Sequence, residues 1–287
     1  MRYIKSFNTD ADVQTALSNG ELGKPYVAYI TSTGKIDWNT KDASHDYSKD
    51  YLTIEALENG NIVWHTYYNL VYYRINGGNW VTGGTEREQI NITIPVVSGD
   101  IVEFKGNATR DNYFSATTCN VNVYGNVNSI KLGDNFIGDK TTLPVKTLFN
   151  KNTKILNAAN LILPATTLAT SCYLDMFSGC TSLTSAPELP ATTLAASCYR
   201  GMFKGCTNLI KAPELRAESV NMCYREMFNG CINLNYIKCL TTNLTLTNFQ
   251  AWVTGVQTNS GTFIKKSGTN WSRGNNGIPN NWTIQNA

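Results

Sequence analysis

Charge is scarce in this chain and histidine is almost absent. Asp, Glu, Lys and Arg make up 16% of the 287 residues, and the formal net charge is +3. No dense run of Lys and Arg occurs, and Lys265–Lys266 is a single pair read as a solvated strand end, so the electrostatic footprint of a nucleic-acid binder is missing. The two histidines stand apart, His45 in a polar stretch and His65 in a strand-like run beside Trp64. Such a pair makes neither a metal site nor an acid/base couple. No segment approaches the roughly 18 apolar residues of a membrane-spanning helix. Met1 to Asp10 carries early basic residues but no apolar core behind them, unlike a secretory signal. No phosphate-cradling GxGxxG or Walker pattern follows a strand; Gly77-Gly78 and Gly83-Gly84 read as hairpin glycines. These absences leave no catalytic, cofactor-binding or metal-ligating residue to nominate. They point to a non-enzymatic, soluble product made in the cytosol.

Hydrophobic residues reach 42%, with 15 Tyr and 22 Gly. That mixture favours short strands, turns and an uncharged polar surface, so the expected class is mixed and mainly β. Four regions follow. Residues 1–50 hold one amphipathic segment, Asp10 to Leu17, and a hairpin pattern at Tyr26–Ile30 and Lys35–Trp38. This region is too small to bury much surface alone and reads as an anchoring or docking segment. Residues 51–127 switch to period two, with strands expected at 52–56, 61–65, 70–75, 89–94, 101–105, 113–118 and 120–124. Turns at Asn76-Gly77-Gly78 and Ser98-Gly99-Asp100 separate some of them, and the spacing implies a β-sandwich.

Residues 128–240 carry an internal repeat. Ser171-Cys172-Tyr173-Leu174-Asp175-Met176-Phe177-Ser178-Gly179-Cys180 returns from Ser197 to Cys206 and again from Met222 to Cys231, the leading cysteines lying 26 and 25 residues apart. Ala186-Pro187-Glu188-Leu189 recurs as Ala212-Pro213-Glu214-Leu215, and a worn first copy begins at Leu148-Phe149. A period in the twenties with fixed apolar positions signals a solenoid whose units cannot bury their apolar faces singly. Within one unit, Ser197 reads as the N-cap of a short helix through Phe203, with Gly205 at the positive-φ position past its end. Cys198, Met202 and Phe203 then face inward, and Leu209 opens a short strand pairing with those at Leu183 and Leu234. Residues 241–287 read as a C-terminal cap, a short helix plus one or two aromatic-rich strands.

Seven of the eight cysteines sit at repeat positions, where the spacing suits buried free thiols and not a zinc cluster. Glu188 and Glu214 would form a like-charge ladder at a strand edge, solvated or in contact with Lys211. Outward positions beside the repeat leucines, Ser182, Thr184, Asn208, Ile210, Asn233 and Asn235, are the candidate binding residues, since solenoids often bind through that face. Tyr72, Trp80 and Trp271 are candidates for stacking on sugars, with core packing the competing role.

The Met-Phe-x-Gly-Cys blocks resemble the BspA-type leucine-rich repeats found in surface and phage-borne proteins of gut Bacteroidetes. The segment from Tyr3-Ile4-Lys5-Ser6-Phe7 to Gly34-Lys35-Ile36-Asp37-Trp38 is similar to the opening of structural proteins of Bacteroidetes phages, crAss-like ones included. Together the resemblances imply a virion protein of the head-fibre, decoration or tail-fibre kind. Its N-terminus would dock on other capsid or tail proteins, and its sandwich and repeats would reach a host surface protein or glycan. Such fibres are commonly homo-oligomers, which sets a trimer as the expectation. The alternative is a bacterial cell-surface adhesin.

Overall fold

The computed structural model describes residues 45–67, 69–84, 89–108, 112–140, 145–256 and 260–287, and the backbone of three short strands nearer the N-terminus. Strand makes up 30% and helix 6%, so the chain is mainly β, with several sheets and no barrel among the described residues. No helix among them is long and apolar enough to cross a membrane. Two compact units divide the chain, Met1–Asp46 and Tyr47–Ala287.

In the first unit β1 (Ile4–Phe7) pairs in parallel with β2 (Val27–Ile30), and β2 pairs antiparallel with β3 (Lys35–Asp37). The two runs read as a hairpin are thus paired, while Asp10–Leu17 lies outside the described residues.

The second unit opens with β4 (Leu52–Ala56), β5 (Gly60–Tyr67), β6 (Val71–Ile75), β7 (Val81–Gly84), β8 (Gln89–Val96), β9 (Ile101–Gly106), β10 (Asn112–Tyr113) and β11 (Val121–Asn126). Alternation decides which face is buried. Ile62, Trp64 and Thr66 point inward from β5, and Val102 and Phe104 from β9. One sheet runs β10-β5-β8. The other runs from β11 through β4, β9 and β6 to β7 and continues beyond β11 into β12 (Ile155–Asn157), with β13 (Leu161–Ile162) also on β11. The sheets meet where the Trp64 ring lies 5.0 Å from that of Phe104. Asn76 and Gly77, both at positive φ, make the turn between β6 and β7. The strand expected over 113–118 shrinks to two residues, because Phe114 leaves the sheet to stack 5.4 Å from Trp64.

β11 therefore joins the early sheets to the repeat region. The Phe114 N–H donates to the Leu148 carbonyl, and Asn152 Nδ2 donates to the Phe114 carbonyl. One continuous apolar core runs from Leu52 to Trp282, across residue 127.

The repeat blocks contain no helix, contrary to the reading of Ser197 as an N-cap. Ser197, Gly201 and Gly205 all have positive φ, at 57°, 61° and 72°. A left-handed residue every fourth position cannot continue an α-helix. Instead the backbone donors alternate. The N–H groups of Ser197, Tyr199, Gly201, Phe203 and Gly205 donate to carbonyls of Asn221, Cys223, Arg225, Met227 and Asn229 in the next block, at 2.7–3.1 Å. Those of Cys198, Arg200, Met202, Lys204 and Cys206 turn back to carbonyls three residues earlier, at 3.0–3.3 Å. The same alternation links Thr147, Phe149 and Lys151 to the second block, and Tyr224, Glu226, Phe228 and Gly230 to residues 248–254.

This four-residue rhythm turns side chains inward in pairs: Cys198 with Tyr199, then Met202 with Phe203, all buried. Phe149, Phe177, Phe203 and Phe228 stack with centroids 5.3–5.9 Å apart, and Phe114 and Trp252 extend the column at its ends. Thiols bind across it. Cys180, Cys206 and Cys231 each donate to the carbonyl of a phenylalanine one block earlier, at 3.0–3.1 Å.

The expected strands at the repeat leucines reduce to isolated bridges, except β14 (Tyr236–Cys239). β14, β15 (Thr262–Lys265) and β16 (Thr283–Asn286) lie parallel and in register, Tyr236 beside Thr262 beside Thr283. The C-terminal segment thus carries the stack onward. Its expected helix is one 3-10 turn at Leu246–Asn248, and Ala251 and Gly255 repeat the positive-φ rhythm.

A Cβ on Gly201 would meet Oδ1 of Asp175, the far end of a side chain that can turn aside. A Cβ on Gly205 would sit 3.7 Å from the nearest atom, an ordinary contact. With positive φ the constraint they share, Gly201→Ala and Gly205→Ala should each cost ~1 kcal/mol in denaturant unfolding. No cost at either position would contradict the left-handed backbone there. Because the core is continuous, tryptophan fluorescence and cysteine accessibility should report one coincident unfolding transition for residues 47–287.

Candidate binding groove between the second and third blocks

Adjacent blocks are also tied along the segment that follows each repeat leucine. Between the first and second blocks, the Thr184 N–H donates to the Leu156 carbonyl and the Ala158 N–H to that of Ser185, both at 2.9 Å. Between the third and fourth, the Asn235 N–H donates to Ile210 at 2.9 Å and the Ala212 N–H to Tyr236 at 3.0 Å. At the step between the second and third blocks the corresponding donors, Ile210 and Ala186, make no such bond to Thr184 or Lys211, and no bridge joins the two segments. This is the step where Ala-Pro faces Ala-Pro, Ala186-Pro187 against Ala212-Pro213. The two absent bonds have non-proline donors; the step coincides with a proline on each segment, fixing φ on both sides of the gap.

A groove of about 550 Å³ occupies the gap. Pro187, Leu189 and Pro213 give it apolar walls, and Glu188, Lys211 and Arg216 stand exposed at its rim. Glu214 lies half-buried between two cations, accepting from Arg216 Nη2 at 2.8 Å and from Lys238 Nζ at 2.9 Å. Those partners, Arg216 first, hold its carboxyl below the usual range. The Lys211 ammonium lies over the Tyr236 ring, 5.0 Å from its centroid. The contact expected between the repeat carboxylates and Lys211 is thus replaced at Glu214 by Arg216 and Lys238.

Of the six residues expected on the binding face, Thr184 lines the groove. Asn208, Ile210, Asn233 and Asn235 are exposed nearby and Ser182 is half-buried, all outside its lining. Arg216, Tyr236 and Lys238 escaped the sequence reading. Arg216 stands where the previous block has Pro190, and the other two fall where the fourth block has lost the Ala-Pro-Glu motif.

Elsewhere the candidate groups are held in packing. Trp271 rests against Phe249, Trp252 and Phe263 in the C-terminal aromatic cluster. Trp80 sits 4.9 Å from Tyr51 beneath the Arg74 guanidinium and the Lys105 ammonium. Tyr72 is half-buried. His65 stacks on Tyr113 with Nδ1 2.6 Å from Asn91 Oδ1, while His45 is exposed. All eight cysteines are buried and none forms a disulfide. Burial pushes the Cys172 thiol up to about 11 and those of Cys231 and Cys239 to about 12, so they stay protonated and unreactive near neutrality. No group of three His, Cys, Asp or Glu among the described residues could hold a metal ion.

Beside the groove, Glu218 fastens the third block to the fourth. It accepts from the Thr241 hydroxyl, from the N–H and hydroxyl of Thr242, and from the Asn243 N–H, at 2.8–3.1 Å. Burial alone would raise its pKa, but these donors bring it down to about 2.

No family model, no curated protein and no solved structure matches the chain.

A carboxyl with a depressed folded pKa contributes stability above its unfolded value, 4.5, and loses it as pH falls toward about 2. Glu218→Gln should therefore destabilise the chain at pH 7, and the difference from the parent should shrink steadily on acidification between those limits. A difference that stays constant with pH would contradict the clamp.

Proposed function

We propose that the chain is a non-enzymatic structural and binding protein, a phage virion component of the head-fibre, decoration or tail-fibre kind. In this reading residues 1–50 dock on capsid or tail proteins. Residues 51–127 are a β-sandwich seated on the first repeat block. Residues 128–240 are a leucine-rich-repeat solenoid of BspA type, extended and closed by 241–287. The observation that carries it is the unbroken ladder of backbone bonds and stacked rings from Phe149 to Trp252, beside which the leucine segments part once to leave a charged groove. Such a stack offers a rigid outward face, which suits attachment better than chemistry. The virion assignment draws on the resemblance of the first forty residues and of the Met-Phe-x-Gly-Cys blocks. The second reading is a bacterial surface adhesin with the same binding face.

Peptide mass spectrometry of density-purified particles from an infected culture separates the two. The virion reading expects this chain in the particle band in fixed proportion to the capsid protein. Recovery from the cell envelope alone would assign it to the adhesin class. For the purified chain, light scattering should give a homo-oligomer, expected as a trimer. A monomer at high concentration would contradict self-assembly by this chain alone.

A further inference from the structure

The groove at the interrupted step brings together donors and acceptors in nearly balanced number. Glu188 and Glu214 offer carboxylate oxygens, while Lys211, Arg216 and Lys238 offer N–H groups. Lining residues add backbone groups that the missing ladder bonds leave over, the N–H of Ala186 and the carbonyl of Lys211. Glu214 is already engaged, but a carboxylate has about four lone-pair positions and the two cations use only part of them. Pro187, Pro213 and the Tyr236 ring alternate with these polar groups along the lining. The volume of about 550 Å³ is that of a small-ligand site.

Charge decides which chemistry fits. An anionic ligand would meet Glu188 and Glu214, and a cationic one would meet Lys211, Arg216 and Lys238, so a ligand of either sign desolvates against a like charge. Hydroxyl groups both donate and accept, and a row of them satisfies both sets at once. The C–H faces of a pyranose ring suit proline and tyrosine surfaces, which are apolar with a polar edge. We infer that this groove binds a neutral oligosaccharide. Glu188 and Glu214 accept from sugar hydroxyls, Lys211 and Lys238 donate to them, and Tyr236 and Pro213 lie against ring faces. The inference rests on the groove-bearing side being the binding face of the proposed function, and it names the ligand class that face takes.

The test titrates the full chain with neutral hexasaccharides of glucose, mannose and galactose, with a hexa-uronate and a peptide of alternating Lys and Glu in parallel. Binding is followed by calorimetry and by amide shifts at Tyr236 and Lys238. At least one neutral hexasaccharide should bind saturably. Glu188→Gln and Lys211→Ala, both at exposed positions, should each weaken it by about tenfold while the amide spectrum away from the groove stays unchanged. Lys204→Ala, on the exposed turn side of the third block, should leave it unchanged. Lack of saturation with all three neutral sugars overturns the inference. So does binding indifferent to the groove variants, or tighter binding of the uronate or the peptide. If particles contain the chain and no sugar binds, this inference fails and the virion reading stands. Sugar binding by a chain absent from particles gives the reverse.

Discussion

Within the turn runs, every second backbone N–H is committed to the neighbouring block, and the alternate ones close local turns. A block on its own would leave five such donors, Ser197 to Gly205 in the third block, without partners. Leaving buried backbone groups unpaired is costly, so the conformation persists only when blocks are stacked. The positive φ angles at Ser171, Tyr173, Ser197, Met222 and Glu226 follow from that commitment. Each is unfavourable locally and is held because the bonds on both sides fix it.

From the same constraint comes the chemistry of the interior. Blocks held at backbone hydrogen-bonding distance put phenylalanine over phenylalanine and tyrosine over tyrosine, the Tyr173, Tyr199 and Tyr224 rings 6.0–6.3 Å apart. Cysteine suits the remaining space because it is small, apolar enough to bury and still able to donate to a carbonyl. A ladder this regular has few places to open. The one step whose bonds are absent along the leucine segment is also where proline stands on both sides and charged side chains gather, so the groove opens within the stack itself.

Much of this was legible in the sequence. Period-two alternation located β4, β5, β6, β8, β9 and β11 to within a few residues, because half-buried strands record burial directly in their polarity. The repeat spacing identified the stacked blocks and their inward cysteines, methionines and phenylalanines. The helix reading failed for a specific reason. Cys198, Met202 and Phe203 sit at separations that an α-helix and a four-residue turn rhythm share, and polarity alone does not separate the two. Gly201 and Gly205, four apart in one block, were the distinguishing signal, although Asp175 and Glu226 occupy the first of these positions in the neighbouring blocks. The pairing of β11 with β12 and β13 was hidden because long-range partners leave no local trace. Lys238 and Arg216 were hidden because they lie where the motif decays.

The stacking commitment is tested most directly by scalar couplings across hydrogen bonds in a labelled sample. The account predicts a coupling from the Phe203 amide nitrogen to the Met227 carbonyl carbon, with matching pairs at Gly201 to Arg225 and Tyr199 to Cys223. Coupling from Phe203 to the Tyr199 carbonyl instead would mean an α-helix within the block, and would contradict it.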